Sequence, residues 1–302
     1  MSKQTKIVEK LNEYMLNKHL SQVDMAKHIS IASGKNISHA TISNMRNGKH
    51  EMISDEMWNT VALFLKIDNW AIVKTNNYAT IINICDDAQA NARMLAISAG
   101  SGFGKTTALR TYADSHPNVF YVLGNVLMQS KTSFLSAIQS SLGIAEGANA
   151  ALMLAAIVRK LAQLENPLVI IDDAGKLNES NLRIIQLLYD QTEGACGIVL
   201  SGTTYLKNFL DKSKARGKMG MDELHRRIED WEALNRPTDR EIRAIATSNG
   251  ITEVDTIKYI CRASTNYGTV RAIIRNAMRL KMKNNLTLET LTKMPVQEEV
   301  EA

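Results

Sequence analysis

Residues 99–106, Ala99-Gly-Ser-Gly-Phe-Gly-Lys-Thr106, combine the residue types that a phosphate-wrapping loop requires. Gly100, Gly102 and Gly104 free the backbone to curl so that its N–H groups point inward at phosphate oxygens, with Ser101 and Phe103 between them. Lys105 supplies a cation for the β- and γ-phosphates, and the Thr106 hydroxyl a ligand for Mg²⁺; Thr107 continues the run. The pattern is G-x-x-x-x-G-K-[ST] with Ala99 at its first position. A glycine-rich turn without a ligand is the competing account. A triphosphate held with Mg²⁺ also needs a carboxylate at the end of a second strand. Leu168-Val-Ile-Ile-Asp-Asp-Ala-Gly175 provides it, with Asp172 for the metal and Asp173 to orient an attacking water. A third apolar run ends in Ser201-Gly-Thr-Thr204. Thr203 there, with Ser201 behind it, is the candidate for sensing the γ-phosphate. The alternative is a hydroxyl that caps the next helix. Arg226 and Arg227 precede another strand-like run, 229–234. An arginine of this pair could reach a neighbouring subunit's phosphate, and a surface ion pair is the alternative.

These residues work only if strands and helices hold them. Met94–Ser98, Val119–Leu123, Leu168–Asp172 and Gly197–Ser201 are short continuous apolar runs, separated by helical stretches at 105–114, 134–142, 150–164 and 179–190. Apolar strands alternating with helices predict a parallel sheet covered on both faces. The phosphate loop falls directly after the first strand and before a helix, whose positive end adds to the site. Residues 1–66 read instead as short helices, with Ser21 and Ser38 as N-caps, and from Pro237 the pattern is helical again. The predicted division is 1–66, a connector at 67–92 with a helix near 78–90, a core at 93–236, a helical lid at 237–296 and an acidic tail at 297–302.

Composition narrows the classes. Hydrophobic residues at 45% and charged residues at 22%, with four prolines and 16 glycines, exclude disordered and collagen-like chains. No apolar run approaches the roughly 20 residues of a membrane helix. The N-terminus lacks an apolar signal core, so a cytoplasmic location is expected. Cys85, Cys196 and Cys261 are far apart and form neither a disulfide framework nor a zinc motif. A net charge of +5 permits a polyanionic partner.

Taken in order, the phosphate loop, IIDDAG, the SGTT strand end, the Arg226-Arg-Ile segment and Gly268-Thr-Val-Arg271 resemble the AAA+ ATPases, and within them the bacteriophage Mu transposition protein B family. The resemblance spans roughly residues 5–290. It implies an α/β fold, an AAA+ P-loop parallel sheet of five strands with a helical lid, preceded by an all-α helix-turn-helix domain. It implies ATP and Mg²⁺ as cofactors, with Lys105, Thr106, Asp172 and Asp173 in the roles given above. Thr203 would be the first sensor, Arg227 the finger and Arg271 the second sensor. Asp173 stands where Glu is usual and Thr203 where Asn is usual, which lowers the expected hydrolysis rate.

The same resemblance implies a chain that binds double-stranded DNA without sequence preference, assembles with ATP into a homo-oligomeric ring or filament, and activates a transposase. Leu20–Ala26 and Ile37–Gly48 resemble the two helices of a helix-turn-helix, with Ser30–Lys35 as an insertion between them. His39, Thr41, Ser43, Asn44 and Arg46 are candidates to touch bases or phosphates. Lys131, in a loop 129–133, and Lys214 and Arg216, in a loop 212–218, are candidate backbone contacts. Arg275, Arg279, Lys281 and Lys283 form a basic stripe or a solvated helix face. A replication initiator or helicase loader shares nearly every motif. A nucleotide-gated DNA-binding regulator with little hydrolysis is the third reading.

Overall fold

The computed structural model describes residues 3–18, 20–65, 70–218, 220–282 and 285–296. The predicted acidic tail at 297–302, Lys283 of the basic stripe and part of the 67–92 connector lie outside them. The chain divides into two compact units, one of Lys74–Pro237 with Thr265–Gly268, the other of Met1–Val73, Thr238–Ser264 and Thr269–Ala302.

The first of these units is built on a five-stranded, wholly parallel sheet. Its strands are β1 (Met94–Ser98), β2 (Val119–Leu123), β3 (Leu168–Asp172), β4 (Gly197–Gly202) and β5 (Asp230–Ala233), in the order β2-β3-β4-β1-β5. The central strands are apolar at nearly every position because both faces are covered. Leu95, Ile97, Leu168, Ile170 and Val199 pack against Ile81, Cys85 and Ala88 of one helix, Asn76–Asn91, and Ala108, Leu109 and Tyr112 of another, Lys105–Ser115. Met94, Ala96, Val169, Ile171, Ile198 and Leu200 face Phe134, Ile138, Ile157, Ile185, Leu188, Leu206 and Leu224 on the other side. β4 lies between β1 and β3, so the ends of the phosphate-loop strand and the acidic strand flank it.

Two expected loops are helical. Ser130 is an N-cap whose Oγ accepts from the Ser133 N–H, so Lys131 opens the helix Lys131–Ser141. The capping hydroxyl at 130 was the available signal. Likewise 212–215 completes the helix Thr204–Ala215, because Leu206, Leu210 and Ser213 keep one face buried to its last turn. Only Arg216–Lys218 of that segment falls beyond the helix.

The second unit is entirely helical in its described residues. Ile7, Leu11, Met15, Met25, Ile29, Ile42, Met45, Trp58 and Val61 close one core among its N-terminal helices. Ser21 and Ser38 cap the helices Gln22–Ser33 and His39–Arg46, each accepting from the N–H three residues on. Ser30–Ser33, expected as part of an insertion, form the last turn of the first of these helices. It ends at Gly34, in the left-handed region at φ 68°. The unit's later helices are Asp239–Ser248, Val254–Ala263, Leu288–Thr292 and, from Thr269 onward, the helix Tyr267–Met282. Arg271 lies in the second turn of that helix rather than at its start.

Candidate nucleotide-binding site

The phosphate loop is shaped by two glycines that no other residue replaces cheaply. Gly102 and Gly104 have φ of 76° and 85°. A Cβ on Gly102 would also fall 2.5 Å from Asn266 Oδ1, and the Gly102 carbonyl accepts from the Gly268 N–H at 3.1 Å. Gly104 is the N-cap of the helix Lys105–Ser115 and carries no side chain to cap it. At Ser21, Ser38, Thr75, Ser130, Asn149, Asn178 and Thr238 a side-chain oxygen accepts from a backbone N–H in the first turn of the helix that follows. At Gly104 the first-turn N–H groups keep their donors for an external anion.

Lys105 is buried, and its ammonium donates to the carbonyls of Ala99 and Gly100 at 2.8 Å each. Burial lowers its pKa, while Asp172 and Asp173 pull it back up. Asp172 at the end of β3 is wholly buried. Its Oδ2 accepts from the Thr106 hydroxyl at 2.6 Å and from the Tyr121 hydroxyl at 2.8 Å, and its Oδ1 accepts from the Asp173 N–H at 3.0 Å. The donor set fits Mg²⁺, which takes oxygen ligands. Thr106 spends its proton on Asp172, which leaves its lone pairs for a cation beside that carboxylate.

Asp173 follows in the left-handed region, at φ 54°. Its Oδ2 lies 2.7 Å from Lys176 Nζ. Thr203 is exposed and its side chain caps nothing. Ser201, by contrast, is fully buried and its Oγ has no hydrogen-bond partner. The β3–β4 register pairs Ile171 with Leu200, so Ser201 stands across from Asp172 at the next step. Of the two hydroxyls, Ser201 is the one placed beside the Asp172 carboxylate.

Arg227 makes the ion pair that was its alternative, with Nε 2.7 Å from Asp190 Oδ1. Arg226 on the same short helix is exposed. Arg271 belongs to the other unit, where its guanidinium lies 5.6 Å from the Trp70 ring centre. Among the proposed DNA contacts, His39 is exposed, but Arg46 Nε donates to Asn12 Oδ1 at 2.7 Å. Ser43 accepts from Asn47, and Thr41 pairs with the Ser38 hydroxyl. Lys214 lies 3.9 Å from Asp222, and Lys131 and Arg216 are exposed.

Sequence reasoning missed Tyr121, Lys176 and Asn266. Tyr121 gave one signal, a hydroxyl in the otherwise apolar run VFYVL. The others depend on packing that spacing does not reveal. Among the described residues no cluster of three or more His, Cys, Asp or Glu could hold another metal, and no helix is long and apolar enough to cross a membrane.

Residues 86–210 match the family model described as an AAA domain, a span containing the loop, Asp172, Asp173 and Ser201. The chain is 21% identical over 283 residues to the Mu-like prophage FluMu DNA transposition protein B of Haemophilus influenzae, covering 88% of this chain and 93% of that one. It is 25% identical over 267 residues to the ATP-dependent target DNA activator B of Escherichia phage Mu, covering 84% and 82%. Among solved structures, Cdc6p from Pyrobaculum aerophilum superposes with a TM-score of 0.55 at 15% identity, over 76% of this chain and 73% of that one. With the glycine loop, its lysine and the Thr106–Asp172 pair at the end of one parallel sheet, this chain carries an AAA ATPase domain and is similar along most of its length to the Mu-type transposition proteins B.

Proposed function

We propose that the chain binds DNA in an ATP-dependent manner, assembles on a target duplex as an oligomer or filament, and delivers that duplex to a transposase. The observation that carries the reading is the extent of the likeness. It runs through 88% of this chain and does not stop at the nucleotide module. The fold of Cdc6p from Pyrobaculum aerophilum is also similar, but at 15% identity that shared architecture supports no partner.

In this reading Lys105 exchanges the carbonyls of Ala99 and Gly100 for the β- and γ-phosphates, and the N–H groups after Gly104 hold the remaining oxygens. Thr106 and Asp172 hold Mg²⁺, which neutralises charge on the phosphates when bound. Asp173 turns from Lys176 to orient a water molecule. Ser201, rather than Thr203, donates its buried O–H toward the γ-phosphate. Arg226, being exposed, is the better-placed finger toward a second copy. Lys131, Lys214, Arg216 and His39 supply salt-sensitive contacts to the DNA backbone. A nucleotide-binding core at 93–236, a helix-turn-helix domain at 1–66, a lid at 237–296 and Arg271 as second sensor complete the proposal.

The test is DNA retention on filters with ATP, with ADP and without nucleotide. Wild type is expected to retain duplex of any sequence with ATP alone. Lys105→Ala is expected to lose at least about tenfold in apparent affinity, corresponding to about 1.4 kcal/mol. Equal retention by both proteins rules out nucleotide gating.

A further inference from the structure

We infer that Tyr121 is a positioning residue for Asp172 and so sets how tightly the site holds a divalent cation. The inference rests on the reading that Thr106 and Asp172 hold Mg²⁺. Tyr121 is the third residue of β2, paired in register with Ile170 of β3, two positions before Asp172. That places its side chain on the sheet face that carries Asp172, the face covered by the helix Lys105–Ser115. Its O–H donates to Asp172 Oδ2, the same oxygen that takes the Thr106 proton.

Asp172 is thereby fixed by three donors from three places: a strand neighbour, the phosphate-loop helix and its own following peptide. A carboxylate in a buried site rotates about its χ2 unless hydrogen bonds hold it. Remove the Tyr121 proton and Oδ2 keeps Thr106 as its one donor, with the Asp173 N–H still on Oδ1. The Thr106 hydroxyl then has to keep its proton on Oδ2 and its lone pairs toward the cation with no second donor steadying that oxygen. From outside, the exposed Arg110 places its guanidinium 5.3 Å from the ring centre, a cation–π distance.

The experiment is calorimetric titration of ATP into the full chain, first in EDTA and then across a Mg²⁺ series. Tyr121→Phe keeps the ring and removes one proton donor. It is expected to bind ATP as wild type does in EDTA, yet to need about tenfold more Mg²⁺ for half of the metal-dependent tightening. Hydrolysis at saturating Mg²⁺ is expected to return near the wild-type kcat, so the loss sits in metal affinity. Arg110→Ala, at an exposed site, is expected to shift the midpoint the same way by a smaller factor. An unmoved Mg²⁺ midpoint in Tyr121→Phe overturns the inference, as does an equal loss of ATP affinity in EDTA for that variant. Asp172→Asn separates the two levels. If it responds to Mg²⁺ as wild type does, the site reading fails; if it loses the response while Tyr121→Phe does not shift, only the role of Tyr121 fails.

Discussion

Asp173 stands in the left-handed backbone region, a conformation that Asp and Asn adopt more readily than longer side chains. This gives a physical reason for a short acid where Glu is usual in the resembled family: a glutamate would trade reach for backbone strain. Asp173→Asn preserves the backbone while removing the charge that pairs with Lys176 and that would activate water. Its steady-state hydrolysis is expected to fall on the order of 100-fold with ATP affinity within a few-fold of wild type. Phosphate release and calorimetry check the pair, and undiminished release would remove Asp173 from catalysis. The loop glycines, Lys105, Thr106 and Asp172 were legible because phosphate and metal chemistry demand those types at those spacings. Tyr121 and Lys176 were not, since their value comes from reaching a carboxylate across a strand or a turn. Arg227 shows the same limit, because Asp190, its ion-pair partner, belongs to a different helix.

At the scale of elements, the sheet and its flanking helices followed from apolar runs of strand length set between amphipathic segments. Helix starts were legible where a capping hydroxyl stood, as at Ser21 and Ser38, and missed at Ser130, where polarity was read as a loop. Close approach between elements left a subtler trace. At Gly197, which opens β4, a Cβ would be driven into the Ala88 carbonyl of the helix Asn76–Asn91. The backbone, not a movable side chain, stands in the way. Gly197→Ala is therefore expected to destabilise the protein by about 3 kcal/mol, the upper part of the usual overpacking range. Denaturant unfolding measures it, and a change below about 1 kcal/mol would mean that the helix and strand separate easily.

For the whole molecule, a modest charge of +5 is enough for salt-sensitive attraction to a polyanion, although the resemblance, more than the charge, named DNA. Assembly supplies the next prediction, since Arg226 and Arg227 are adjacent yet differently placed. Arg226→Ala is expected to abolish ATP-dependent association in sedimentation while leaving the melting temperature of the monomer unchanged. Arg227→Ala, which breaks a half-buried ion pair, is expected to cost about 1 kcal/mol of stability and to retain association. The reverse pattern would return the finger to Arg227.

Lys105 is already satisfied by its own loop, with two carbonyls in place of phosphate oxygens. Nucleotide loading is thus a swap of partners for the ammonium, and unloading is the swap run backward. A spent ligand leaves no stranded charge behind it, because the cation has a resting berth within reach. Such a berth favours quick turnover of occupancy over tight retention.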